Sequence, residues 1–506
     1  MSRYFLLSFL LILTSQTGYA NPRTKALYNS LDPLSISQHL ALYELYPNSQ
    51  EGQNALNDAW NLLSNNSIQH SSSLPLNYSL TNALIALVNK QPNQDPPELS
   101  EPELQVMERL GQRLANRRLK GSQAKSEEEV LALPPREIDL ARGLFLSEPS
   151  PHDWIRIHRY EYMLDLMALQ VLARLPKNAS PKEKVKALNH FVFKDLQYRF
   201  PPHSLYAKDI DLYTFLPSVL DSRKGVCLGV SILYLCIAQR IDLPLEVITP
   251  PGHIYIRYRD GDEVLNIETT AFGIHIDSEE YLSVGTRKLQ LRTIKEVIGM
   301  AHVNHSSIYL QNKEFQEGLE AYQRAIKYMP DDMLIHELMG YSFLFLGKED
   351  EGKKYLQMVI QDIPDHSVNR DTMAEDYLLG KTDAEGILAV FEHVDETRES
   401  ILEKKKKLEQ VVKKYPQFRN GIFGMAVTWL QLHREAEALE WLKRYHQLEP
   451  NDPNAEYYLA AVYAQRMNYP RAWQHLKNAE RIVAERDHDP KALKALRREL
   501  CTRCPE

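Results

Sequence analysis

Apolar residues recur at three- to four-residue spacing through most of this chain, and alternation appears mainly around residues 253–268. The first periodicity predicts amphipathic helices and the second a pair of half-buried strands. Helices are expected in LSISQHLALYELY, which follows the start signal Asp32-Pro33, in GQNALNDAWNLLSNN and in NYSLTNALIALVNK. Residues 91–103 are rich in proline and acids and read as an exposed loop, before a further helix over Leu104 to Leu119. Residues 153–175 predict a strongly amphipathic helix, and 180–200 another, opened by Ser180, Pro181 and Glu183. Behind Cys227 comes the apolar run Leu228, Val230, Ile232, Leu233, Leu235 and Ile237, so Cys227 is expected in the first turn of a buried helix. The dipeptide Asp260-Gly261 predicts a two-residue hairpin turn. With the turn centred there, Ile254 faces Ile267 and Ile256 faces Leu265, while His253 faces Glu268, Tyr255 faces Asn266 and Arg259 faces Asp262.

From about residue 300 the pattern repeats. Pro330 and Pro364 lie 34 residues apart, as do Pro416 and Pro450. Small residues fall at a matching position in four units, Gly318, Gly352, Ala438 and Ala472, and aromatic residues at another, Tyr309, Phe343, Trp429 and Tyr463. This resembles tetratricopeptide repeats, in which paired helices approach through small residues and stack into a superhelix. Between 365 and 415 the register breaks into an irregular helical segment, and the basic tail from 486 is expected to cap the solenoid.

Composition narrows the setting. The chain of 506 residues has a net charge of −7, with 25% charged and 43% hydrophobic residues, which fits a globular protein without a nucleic-acid-binding field. Residues 1–20 read as a secretory signal peptide: Arg3, then the apolar run Tyr4 to Leu13, then Gly18-Tyr19-Ala20. No later run reaches the ~20 apolar residues of a membrane span. The four cysteines, Cys227, Cys236, Cys501 and Cys504, make no disulfide framework. Cys227 and Cys236 are separated by about 13.5 Å of helical rise, too far for a bridge, so Cys227 is expected to be a free thiol. The terminal Cys501-Thr502-Arg503-Cys504 reads as a local pair and lacks the further ligands a metal site needs.

The chemistry gathers between Arg223 and Phe272. A helix N-terminus favours a thiolate, and opposed hairpin residues sit about 4.5–5.5 Å apart at Cβ, close enough for Glu268 to hold His253. Nucleophile, base and orienting acid are thus available as Cys227, His253 and Glu268. Taken singly, a buried cysteine is more often a small hydrophobe and a strand histidine more often structural; their order and the hairpin between them make the set informative. Gly-x-Cys on a helix, a histidine opening a strand and an acid followed two residues later by threonine resemble the transglutaminase-like superfamily, relatives of papain, over roughly residues 183–285. The acid of that family is usually aspartate in a segment like N-V-D-x-T; this chain has Asn266-Ile267-Glu268-Thr269-Thr270.

The expected protein is mostly α-helical with an α+β core. A signal peptide (1–20) precedes a helical region (21–145), a transglutaminase-like cysteine-enzyme domain (146–290), tetratricopeptide repeats (295–366 and 416–485) around the irregular segment (367–415), and a C-terminal cap (486–506). The signal-like residues 1–20 imply export, periplasmic or secreted, and the resemblance implies an enzyme acting at amide or peptide bonds through an acyl-enzyme, with hydrolysis and acyl transfer both open and no cofactor or metal required. The repeats imply a protein or peptide partner in their groove. The alternative is a non-catalytic scaffold built on a degenerate enzyme core. Substrate and oligomeric state are not set by the sequence.

Overall fold

A computed structural model describes residues 22–64, 78–148, 153–201, 210–361, 363–395 and 397–505. The proposed signal peptide lies outside the described residues. Helices dominate, and a four-stranded antiparallel sheet of order β3-β2-β1-β4 stands in the middle of the chain, with β1 Glu246–Thr249, β2 Tyr255–Asp260, β3 Glu263–Ile267 and β4 Gln290–Arg292. The expected hairpin is β2–β3; β1 and β4 widen it into a sheet. Behind the sheet runs the helix Cys227–Arg240, most of whose side chains are buried, beside the long helix Trp154–Ala173.

One apolar core runs from Ile36 to Met339. It joins the N-terminal helices, the Cys227 helix, the sheet and the first repeat helices, so neither residue 145 nor residue 290 marks a break in packing. The helix expected over 104–119 instead spans Glu101–Gly111, continued by a short 3₁₀ turn at Ala115–Arg118. The one expected over 180–200 is α-helical at Pro181–Asn189 and widens into a π-turn at His190–Asp195.

The hairpin register differs from expectation. Asp260 pairs with Glu263, so the loop is Gly261-Asp262, and Ile256 faces Ile267 while Arg257 faces Asn266 and Tyr258 faces Leu265. Glycine is decisive here. Gly261 has φ +57° and Asp262 is not left-handed, which makes a turn with glycine at its first central position rather than its second. Each partner moves by two residues, so the buried and open faces keep their identities.

From Ile294 the chain folds into antiparallel helix pairs: Ile294–Gln311 with Phe315–Tyr328, Met333–Phe345 with Glu349–Val359, Arg419–Gln431 with Glu435–Leu448, and Pro453–Gln465 with Tyr469–Ala484. The small residues sit where the pairs close: a Cβ on Gly352 would lie 2.3 Å from the Leu344 side chain, and Ala438 and Ala472 are fully buried. The middle segment holds a short helix, Met373–Leu378, and then a further pair, Ala384–Phe391 with Arg398–Lys414. The tail helix Lys491–Arg503 buries Leu493, Leu496 and Leu500 in the apolar cluster of the last repeats. Among the described residues no helix is long and apolar enough to cross a membrane.

Candidate active site

Cys227 is the first residue of its helix, after the N-cap Val226, and its side chain is partly exposed while the residues behind it are buried. The first turn is held by the segment Ile210–Thr214. The Tyr213 carbonyl accepts the Val226 N–H at 3.2 Å, and a Cβ on Gly229 would stand 2.0 Å from that same oxygen. Only glycine lets this backbone lie across the helix start.

His253 lies just before β2, after a turn in which its N–H bonds to the Pro250 carbonyl at 3.1 Å. Its Nε2 is 2.7 Å from Glu268 Oε2, and the Cys227 side chain lies near enough to the ring to help raise its pKa. With Nε2 committed to the acid, Nδ1 remains for the sulfur. The structure therefore brings Cys227, His253 and Glu268 together. The pairing is not the direct opposition expected from the sequence. In the observed register Glu268 continues β3 opposite Tyr255, and His253 lies on the diagonal. Diagonal neighbours stand about 7–8 Å apart, and the longer glutamate side chain closes that distance.

Glu268 is buried yet fully supplied with donors. Oε1 accepts from the Thr270 N–H at 3.1 Å and the Thr270 hydroxyl at 2.6 Å, while Oε2 accepts from His253 and from the Tyr281 hydroxyl at 2.5 Å. Burial alone would raise its pKa; the bonds from His253, Thr270 and Tyr281 outweigh it and bring it down to about 2. For His253 burial works to lower the pKa, but hydrogen bonds to Cys227 and Glu268 and the charge of the carboxylate outweigh it and raise it to about 9. The directions of the two shifts favour an imidazolium held against a carboxylate at neutral pH.

Sequence reasoning missed several supports. The Tyr281 ring stacks on His253 with centroids 5.6 Å apart and on Tyr255 at 4.8 Å. The Tyr255 hydroxyl joins Arg257, Asn266 and Ser278 in one polar network: Ser278 Oγ is 3.0 Å from Tyr255, 2.8 Å from Arg257 and 3.0 Å from Asn266. Thr269 is hydrogen-bonded to Ser231 at 3.0 Å and reaches the Cys227 carbonyl at 3.5 Å, tying the acid's segment to the nucleophile's helix. Thr270 carried a signal, since it stands in the acid-x-Thr pattern; Tyr281 carried none, because nothing in its own neighbourhood marks it. Among the described residues no cluster of histidine, cysteine and acid side chains is arranged to hold a metal.

The chemistry of this arrangement matches what the chain resembles. The model of the transglutaminase-like superfamily matches residues 158–294, and all three site residues fall within it. A "UPF0162 protein" of Xylella fastidiosa (strain Temecula1) is 23% identical over 193 residues, covering 35% of this chain and 68% of that protein. The "F-box only protein 21" of Mus musculus is 21% identical over 238 residues, covering 42% of this chain and 36% of its own length. Among solved structures, one titled "MamA MSR-1 C2" is 19% identical and covers 37% of this chain and 97% of its own, with a TM-score of 0.19. At that score the reading of the repeats rests on their own helix pairs. The chain carries a transglutaminase-like domain, continued by helical repeats of tetratricopeptide type.

Proposed function

We propose that the transglutaminase-like domain of this chain is a cysteine acyltransfer site acting on amide or peptide-like bonds. The observation that carries the reading is the bond from His253 to the buried, four-times hydrogen-bonded Glu268, with Cys227 near the same ring at the start of its helix. In this mechanism the Cys227 thiolate adds to the substrate carbonyl carbon, and the electron pair moves onto oxygen. As the tetrahedral intermediate collapses, the His253 imidazolium gives its proton to the departing amine, leaving a thioester on Cys227. Neutral His253 then takes a proton from water or from an acceptor amine, which displaces the thiol and releases acid or a new amide. Glu268 stays ionised throughout and holds the imidazole's orientation. The Cys227 N–H at the helix start serves in this mechanism as a donor to the developing oxyanion.

The same proposal sets the protein outside the cytoplasm, periplasmic or secreted, on the strength of the signal-like residues 1–20, and has the repeats recruit a protein partner or substrate, as stacked helical repeats commonly do. The competing reading, a scaffold around a degenerate enzyme, drew on the glutamate in place of aspartate. A 2.7 Å contact between that glutamate and the histidine weakens it.

Intact-mass analysis after incubation with activated acyl esters and glutamine- or asparagine-containing peptides tests the reading. An acyl adduct on Cys227, absent from Cys227→Ser and His253→Ala, is expected; its discharge by added amine in preference to water marks transfer, and discharge by water alone marks hydrolysis. Absence of any adduct with every donor, in folded protein, sinks the proposal.

A further inference from the structure

The loop that delivers Tyr281 to the site does not end in solvent. Residues 283–288 run into the repeat array and are gripped from two sides. On one side they pair with the connection after the second repeat pair: the Val368 N–H bonds to the Gly285 carbonyl at 2.9 Å, the Arg287 N–H bonds to the His366 carbonyl at 2.9 Å, and Thr286 bridges Ser367. On the other side they meet the far end of the array. His488 Nε2 donates to the Ser283 carbonyl at 2.8 Å, Arg287 Nη1 to the Arg486 carbonyl at 2.5 Å, and Lys491 pairs with Glu280 at 2.7 Å. Val284 is buried in the apolar cluster of the last repeats, and Gly285 lies so close to the start of the last pair that a Cβ there would be 2.8 Å from Asn454 Nδ2. Main-chain bonds with one buried apolar side chain are how an extended peptide ligand is commonly held. Here the held peptide belongs to the chain itself.

We propose that the repeat array is an intramolecular clamp on residues 283–288, and that through this grip it seats Tyr281 on Glu268 and His253, making Tyr281 a positioning residue for the cysteine site. The inference rests on the proposed reading of that site. Its logic is geometric. Tyr281 touches both groups whose mutual alignment the mechanism needs, donating to Glu268 Oε2 and lying flat against the His253 ring. It stands two residues before the first gripped carbonyl, so release of Ser283 and Val284 loosens its seat. Two parts of the array distant in sequence, 365–368 and 486–491, must both be in place to hold the loop. The array's integrity is thereby coupled to the site, at a place where no substrate need touch the repeats.

The test is a double-mutant cycle in the full chain, read by hydrogen–deuterium exchange over 280–288, by the iodoacetamide labelling rate of Cys227 at pH 6, and by NMR titration of the His253 ring. Val284→Asp should speed exchange in the loop, slow labelling about tenfold, the scale of one hydrogen bond to a charged group, and shift the His253 titration point. Tyr281→Phe should slow labelling by a similar factor with loop exchange unchanged. The double variant should be no slower than Val284→Asp alone, since both remove the same contact. His488→Ala, a milder lesion that leaves the apolar cluster intact, should move all three readouts the same way by less, and stands in if Val284→Asp does not fold. Loop release with unchanged labelling and unchanged His253 titration, or fully additive effects, overturns the clamp. Wild-type Cys227 that fails to label below pH 8 overturns the enzymatic reading instead, and the His253 titration still decides whether the loop seats Tyr281.

Discussion

The helix Cys227–Arg240 carries a charged cluster at each end, and the two are built to opposite purposes. At the C-terminal end Arg240 is 1% exposed; its Nε bonds to Asp165 Oδ1 at 2.6 Å and its Nη1 to the Cys236 carbonyl at 3.0 Å. Asp165 Oδ2 takes a second guanidinium, Arg117, at 2.7 Å, and the buried Asp139 adds its charge nearby. The neighbouring Arg142 grips Glu161 through two bonds of 2.6 and 2.7 Å. This end is sealed. At the N-terminal end the acid is equally buried and accepts four hydrogen bonds, but His253 keeps a quarter of its side chain open and Cys227 is only partly covered. Displaced pKa values occur at both ends: burial would pull Arg240 down but the paired acids push it up, and the site histidine is pushed up as well. Perturbed titration alone therefore does not mark a site. The proposed site differs from the sealed end by its open face at a helix start.

The sharpest way to test that contrast is to break the sealed end. Asp165→Ala strands Arg240 and Arg117 without their acid and should cost about 3–5 kcal/mol in chemical denaturation, while Cys227 in the fraction that stays folded keeps its labelling rate. A loss of labelling beyond the loss of folded protein would instead join the two ends into one device. Breaking the open end should do the reverse. Glu268→Gln removes the charge opposite the imidazole and should slow Cys227 labelling at pH 6 by about ten- to a hundredfold, the worth of a hydrogen bond between charged groups. Equal labelling in Glu268→Gln would remove the acid from the mechanism.

A smaller effect appears in the pH dependence of stability. Glu268 is held down at about 2 against its ordinary 4.5, so its contribution is present above 4.5 and is lost as pH falls through 2. His253 is held up at about 9 against 6.5, so its contribution is complete below 6.5 and is lost as pH rises through 9. The pair is thus worth most between about pH 4.5 and 6.5. Urea midpoints measured from pH 2 to 10 should show wild type losing more than His253→Ala on the alkaline side between 6.5 and 9. Parallel curves there would mean that the histidine's proton is not held by the fold.

What the sequence discloses follows from how local each cause is. Cys227, His253 and Glu268 lie in order on one helix and one hairpin, and apolar periodicity places all three. The hairpin register slips by two because Asp260-Gly261 can put glycine second or first in a two-residue turn, and only the packed sheet chooses. The repeats are legible because Pro330, Pro364, Pro416 and Pro450 and the small residues before them repeat one local packing rule. Asp165, Arg240 and Arg117 are invisible as a cluster, since each is an ordinary charge on its own helix until three elements meet. Tyr281 and the gripped residues 283–288 are hidden for the same reason. Their partners, His366, Val368 and His488, sit far along the chain in segments with no pattern of their own.

The most direct measurement is the rate of iodoacetamide labelling of Cys227 against pH, in wild type and in His253→Ala. An imidazolium beside the sulfur predicts labelling that stays fast down to about pH 6, and a histidine variant whose labelling rises only near the ordinary thiol value of about 8.5. Slow wild-type labelling that rises only near 8.5 and is unchanged by the mutation would contradict the account, and would make Cys227 a structural thiol at the mouth of a helix.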